Sequence, residues 1–279
     1  MSIVINTTAE LEALISSYKQ QSKSIGFVPT MGGLHQGHLS LVSIAKRKTD
    51  IVVVSIFVNP TQFGAGEDLD KYPQTFEQDK QLLDEQGVEV IFAPTREEIY
   101  PQGVESEVEP GELANILCGA SRPGHFKGVV QVVKRLFELV QPDLAVFGEK
   151  DYQQLMIIKA MAERYQLPVY IESGPIAREP SGLAMSTRNQ YLSKDERETA
   201  AKLYQVMTQA QQRIRSGQRV DNAKAQAERA LSQHFELDYV EILDANTLSQ
   251  ITDTSRKIAI LCAVFLGTTR LIDNLTFGR

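Results

Sequence analysis

Two imidazoles three residues apart, in a turn rich in glycine, carry the strongest chemical signal of this chain. They end the segment Pro29-Thr30-Met31-Gly32-Gly33-Leu34-His35-Gln36-Gly37-His38. The apolar run Ile25-Gly26-Phe27-Val28 before it reads as a strand, and Leu39-Ser40-Leu41-Val42-Ser43-Ile44-Ala45-Lys46 after it reads as a helix start. A strand-to-helix turn aims free backbone N–H groups and the positive end of the helix dipole at one place, which favours a phosphate. Gly32, Gly33 and Gly37 let the backbone come close to a ligand. His35 and His38 add donors that can follow charge onto a reacting phosphoryl group. Neither Gly-x-x-x-x-Gly-Lys-[Ser/Thr] nor Gly-x-Gly-x-x-Gly occurs, so this is not a P-loop or a dinucleotide fingerprint. The plain alternative is a glycine turn with two surface histidines. Against it, half of the four histidines in the chain fall in this one turn.

Four further groups could do chemistry. Asn59 and Gln62, in Phe57-Val58-Asn59-Pro60-Thr61-Gln62-Phe63, follow a strand and offer donors and acceptors to a small polar ligand. A capping Asn in a Pro-containing turn would look the same. The acidic loop Gly64 to Asp70 beyond it has the make-up of a lid, and Asp68 and Asp70 are solvated residues or contacts for a cation. Gly148-Glu149-Lys150-Asp151 ends another strand, and Lys150 there can pair with phosphates as a point charge. Gln154 lies one helical turn further on, able to face the same cleft. Arg178 and the run Met185-Ser186-Thr187-Arg188-Asn189 combine hydroxyls with guanidinium groups, as an oxyanion clamp would. Arg122-Pro123-Gly124-His125-Phe126-Lys127-Gly128 is a basic turn that suits either a loop or a substrate contact.

The elements that must hold these groups alternate between strand and helix. Ile51 to Val58 is a continuous β-branched run, as expected of a strand covered on both faces in a parallel sheet. Thr75 to Gln86 reads as a polar helix and Val88 to Phe92 as a strand. Val129, Val130, Val132, Val133, Leu136, Phe137 and Val140 mark a helix with one strongly apolar face. Asp143 to Phe147, Tyr152 to Tyr165 and Val169 to Glu172 continue the series as strand, helix and strand. The order predicts an open, doubly wound α/β sheet, Rossmann-like, with ligands beyond the carboxyl ends of its strands. Near residue 180 the pattern changes. Ser193-Lys194-Asp195-Glu196 is a capping box for a long helix to about Arg215, which Gly217 ends. A second polar helix over 221–234 and strands at 239–243 and 258–265 complete a smaller α/β domain. The expected division is 1–180 and 181–279.

Composition narrows the function. Lys plus Arg is 29 and Asp plus Glu is 35, a net charge of −6, which argues against a grip on nucleic acid. No apolar run is long enough to span a bilayer, and the start, Met-Ser-Ile-Val-Ile-Asn, does not read as an export signal. Cys118 and Cys262 match no zinc or redox spacing, as expected of reduced thiols in a cytoplasmic protein.

The blocks MGGLHQGH, FVNPTQF, RPGHFKGV, FGEKDYQQL and GLAMSTRNQYL, in this order and spacing, resemble the pantothenate synthetase (pantoate–β-alanine ligase) family over essentially the whole chain. The His-x-Gly-His alone indicates only the wider nucleotidyltransferase superfamily. The resemblance implies that ATP, with Mg²⁺, condenses (R)-pantoate with β-alanine to pantothenate, AMP and pyrophosphate through a pantoyl adenylate. It implies an ATP site formed by Met31, Gly32, Gly33, Leu34, His35, Gln36, Gly37 and His38, by Gly148, Glu149, Lys150 and Asp151, and by Ala177, Met185, Ser186, Thr187 and Arg188. His38 would be the proton donor, with His35 and Lys150 also catalytic, and Gln62 and Gln154 would hold pantoate. It further implies a homodimer, with the smaller domain closing over the site. Two other readings stay open: another His-x-Gly-His nucleotidyltransferase, and a protein that senses a nucleotide without turning it over.

Overall fold

A computed structural model describes residues 1–103 and 108–279. The chain forms two compact units, Met1–Pro175 and Ile176–Arg279. In the first, six strands make one sheet: β1 (Ile3–Ile5), β2 (Ile25–Thr30), β3 (Ile51–Ile56), β4 (Val90–Phe92), β5 (Leu144–Gly148) and β6 (Tyr170–Gly174). Their spatial order is β1-β4-β3-β2-β5-β6, and every neighbouring pair is parallel. The helices are α1 (Thr8–Gln20), α2 (Gln36–Lys46), α3 (Phe76–Glu85), α4 (Arg96–Ile99), α5 (Cys118–Ser121), α6 (His125–Val140) and α7 (Tyr152–Arg164).

Alternation along the strands explains the layers. Val28, Val52, Val54, Ile91 and Val146 point to one face and pack with Leu39, Val42 and Ala45 of α2 and Leu83 of α3. Phe27 and Phe147 point to the other, where Phe137 of α6 meets both edge-to-face. All but the last residue of β3 are buried, as a strand covered on both sides requires.

The chain runs from β2 to β3 on one side and from β5 to β6 on the other, so β2 and β5 flank the topological switch point. Their ladder stops at Phe27–Ala145, although β2 continues to Thr30 and β5 to Gly148. Pro29, which has no N–H to give, sits in the stretch of β2 beyond that ladder. Past that ladder the two carboxyl ends share no backbone pair, and in open α/β sheets such a switch point is where a ligand crevice lies.

In the second unit α8 (Lys194–Ala200), α9 (Lys202–Arg215) and α10 (Val220–Leu231) accompany an antiparallel sheet of β7 (Glu236–Asp244), β8 (Lys257–Leu266) and β9 (Thr269–Gly278). Leu203, Val206 and Met207 of α9 and Leu231 of α10 pack on Val240, Ile242, Ile260, Cys262 and Val264. The capping box forms as read, Ser193 and Glu196 each bonding the other's backbone N–H. The expected long helix is two, interrupted at Ala201. Gly217, at φ +92°, ends the second of them.

Candidate active site at the strand ends

Three of the sequence groups lie at the carboxyl ends of three adjacent strands: residues 31–38 after β2, 59–62 after β3, and 148–151 after β5. Gln154 stands in the first turn of α7, half-buried, directly after the Lys150 turn.

The His35–His38 turn is built by its own side chains. His35 caps α2: its Nδ1 accepts the Gly37 N–H at 3.1 Å, while Nδ1 of His38 accepts the His35 N–H at 3.3 Å. The two rings lie 4.1 Å apart, centroid to centroid. A backbone N–H can only donate, so both Nδ1 atoms are acceptors. Each neutral ring therefore carries its proton on Nε2. Burial, chiefly, pushes the His35 pKa down to about 4, with the nearby Lys150 ammonium adding to it and Asp151 opposing. Burial also takes His38 down to about 3, helped by His35 and Lys150. Both imidazoles are neutral Nε2–H donors at neutral pH.

The expectation of free backbone N–H groups in this turn needs correction. The Gly33 and Leu34 amides are held at 2.9 and 2.7 Å by the carboxylate of Asp79, and the His38 N–H goes to the His35 carbonyl at 2.8 Å. Gly32 has φ +81°, and a β-carbon there would stand 3.0 Å from Asp79 Oδ2, so glycine is required. What the turn offers a phosphate is thus mainly side-chain N–H, not backbone. Met31, Gln36 and Gly37 complete it, with Gln36 exposed and Leu34 buried.

Gln62 is oriented by a buried relay. Asn59 is 1% exposed; its Oδ1 accepts the Thr61 N–H and hydroxyl and, at 2.9 Å, the hydroxyl of Tyr100. Its Nδ2 faces the Gly128 carbonyl and donates to Gln62 Oε1 at 3.1 Å. That leaves the Gln62 amide N–H₂ toward Met31 Sδ, at 3.1 Å. Thioethers accept weakly, so a ligand oxygen is a better partner for that N–H₂. At Gly128 a β-carbon would run into the Thr61 carbonyl, so glycine lets α6 come against this turn.

The basic turn is absorbed by the protein. Arg122 makes a two-point ion pair with Glu67 of the acidic loop, at 2.7 and 2.5 Å, and reaches the Gln62 carbonyl and His125. Nδ1 of His125 lies 2.7 Å from that same carbonyl.

The second unit gathers the remaining residues by itself. Ala177 and Met185 are joined by a backbone bond of 2.9 Å beside the Arg178–Ala184 bridge. Ser186 caps a 3-10 turn, Thr187–Tyr191, its hydroxyl accepting the Arg188 N–H at 3.3 Å. Thr187 is buried and Arg188 half-buried. Arg178 does not join this clamp. It is committed to Asp273 at 2.6 and 2.9 Å and stacks on Tyr204, 3.8 Å from the ring centroid. Sequence reasoning missed Asp79, Tyr100 and Glu67. Cys118 and Cys262 are both buried and neither forms a disulfide.

A six-stranded parallel sheet with a His-x-Gly-His turn at its switch point defines a Rossmann-like α/β protein with its candidate site at the strand ends. Comparison with known proteins is more specific. The model of the family described as pantoate-beta-alanine ligase matches residues 3–276, and the chain belongs to that family. A pantothenate synthetase of Vesicomyosocius okutanii is 53% identical over 96% of this chain and 95% of its own, and one from Pseudomonas fluorescens Pf0-1 is 49% identical over 97% and 96%. The crystal structure of pantothenate synthetase from Thermus thermophilus superposes with a TM-score of 0.92, at 44% identity over 99% of both chains. A pantoate-beta-alanine ligase from Francisella tularensis, described as complexed with beta-gamma ATP and beta-alanine, gives 0.82 at 37% identity over 99% and 97%.

Proposed function

We propose that this ligase joins pantoate to β-alanine in two steps at the crevice between β2 and β5, with His35, His38 and Lys150 on the phosphates. The observation that carries the reading is the reciprocal cap, which holds two neutral Nε2–H donors beside an ammonium at the switch point. A carboxylate is a poor acyl donor because its oxygen leaves badly. Attack of that oxygen on the ATP α-phosphorus, with loss of pyrophosphate, turns it into the good leaving group AMP. Charge grows on phosphoryl oxygens in this step, and fixed N–H donors stabilise it without reorganising. His38 acts as a hydrogen-bond donor from Nε2, which narrows the proton-donor role the resemblance implies. Lys150 serves as the point charge. The turn residues 31–38 and 148–151, with Ala177 and Met185, Ser186, Thr187 and Arg188, make up the ATP site in this reading, and Gln62 and Gln154 hold pantoate. The β-alanine amine then attacks the acyl carbon in its neutral form and expels AMP.

Mg²⁺ would travel with the triphosphate. Among the described residues no three His, Cys, Asp or Glu side chains cluster as a metal site, so phosphate oxygens and water would be its main ligands. On the family resemblance the working form is a homodimer, which sedimentation would check. A cytoplasmic setting fits the lack, among the described residues, of a helix long and apolar enough to cross a membrane. The test is pyrophosphate–ATP exchange. It should require pantoate, proceed without β-alanine, and give AMP and pantothenate once β-alanine is added. Exchange that demands β-alanine, or ADP as product, would contradict the reading.

A further inference from the structure

We propose that Asp79 is a positioning residue for the His35–His38 turn: its carboxylate, brought in on α3, fixes the backbone that makes the two histidines cap one another. The proposal rests on the reading of that turn as the phosphate-binding element. Asp79 is 2% exposed. A carboxylate this deep is costly unless hydrogen-bonded. Here it takes the Gly33 and Leu34 amides, 46 and 45 residues away in sequence, and the Thr75 hydroxyl at 3.2 Å. Thr75 occupies the N-cap position of α3 yet caps no backbone N–H with its side chain; its hydroxyl goes to the carboxylate instead.

The geometry ties this group to the imidazoles directly. Leu34, bonded at 2.7 Å, is the residue before His35, whose own N–H goes to His38 Nδ1. Gly32, at φ +81°, comes up against the same carboxylate, so that a β-carbon there would stand 3.0 Å from Asp79 Oδ2. Two consecutive amides on two carboxylate oxygens set the orientation of the chain entering the cap, and the cap fixes which ring nitrogen of each histidine bears the proton. Asp79 touches no reacting atom in this account. It acts through the turn.

The test combines ¹⁵N-histidine NMR of the ligand-free protein at neutral pH with pyrophosphate-exchange kinetics. In the wild type both rings should show the Nε2–H pattern. Asp79→Asn keeps the shape but sets an N–H₂ against one of the two amides. It should leave His35 and His38 as mixtures of tautomers and lower kcat for adenylation about 100-fold, the scale of a small misplacement of catalytic groups, with KM for ATP moving much less. Asp79→Glu should not rescue, since the extra methylene moves the carboxylate off the register in which its two oxygens meet the Gly33 and Leu34 amides. A merely structural Asp79 would lower the melting temperature and leave the tautomers and kcat per folded molecule unchanged, and that result overturns the proposal. If Asp79→Asn does not fold, the wild type decides through the scalar couplings from the Gly33 and Leu34 amides to the Asp79 carboxyl carbon. Their presence supports the proposal and their absence overturns it. Should the wild type prove not to ligate pantoate, the NMR arm is untouched, so the two readings fail separately.

Discussion

The turn at His35–His38 and the turn at Arg122–His125 both place imidazole beside a cation; burial first, with the cation adding at each and His35 adding at His38, holds the pKa values of His35, His38 and His125 down to about 4, 3 and 4. The partners differ. In the first turn backbone N–H groups occupy Nδ1 of each ring, so the proton is on Nε2. In the second, Nδ1 of His125 faces a carbonyl and must donate, while Nε2 lies 3.0 Å from an Arg122 donor and must accept. Burial and charge decide ionisation alike at both places; the chemistry of the neighbours decides the tautomer. One turn presents N–H to a ligand, whereas the other spends both nitrogens on the protein.

Substitutions that copy one ring nitrogen at a time separate the two. His38→Ala should cost about 100- to 1000-fold in adenylation, the scale of one lost transition-state donor, and about 1 kcal/mol of stability, as for a lost helix cap. A glutamine amide reaches the place of Nε2 and an asparagine amide that of Nδ1. At position 38, Gln should therefore retain more pyrophosphate exchange than Asn. At position 125 the order should reverse, with His125→Ala costing only about 10-fold, the worth of one hydrogen bond. The same order at both positions would break the comparison.

Gln62→Ala should come next, raising KM for pantoate by about 10- to 100-fold, as for a hydrogen bond to a charged group, and leaving ATP binding near normal. A defect confined to ATP affinity would reassign Gln62.

The pH dependence sharpens the contrast with an exposed histidine. A histidine whose folded pKa lies below the unfolded 6.5 binds its proton more readily when unfolded. Its contribution to stability is present above about pH 6.5 and is lost as pH falls toward 4. Denaturant midpoints should therefore drop across that window. kcat/KM should show no inflection near 6.5 from His35 or His38, and an inflection there that vanishes in His38→Ala would contradict the lowered pKa of His38. The smallest effect is expected at the thiols: Cys118→Ser and Cys262→Ser should retain activity, and alkylation of the folded protein should be slow because both are buried.

Much of this site was legible because its chemistry is local. A strand, a glycine turn and a helix start within one short segment announce the His35–His38 turn, and β-branched runs announce the parallel strands. What stayed hidden depends on contacts distant in sequence. Asp79 sits in a polar helix beside Glu77, and nothing in its spacing distinguishes the buried carboxylate from a solvated one. Tyr100 reaches Asn59 from 41 residues away. The strand β9 went unread because Asp273 and Asn274 interrupt its apolar alternation; Asp273 is there to hold Arg178, which sequence alone assigned to the anion clamp. The first strand, β1, has only three residues, too few to show a period.

The adenylate step is tested most directly by following oxygen. Pantoate labelled with ¹⁸O in its carboxylate is incubated with ATP and β-alanine, and the products are weighed by mass spectrometry. If the carboxylate attacks the α-phosphorus, AMP carries one labelled atom and the amide of pantothenate keeps the other. Label in inorganic phosphate alongside ADP, or AMP with no label, would contradict it.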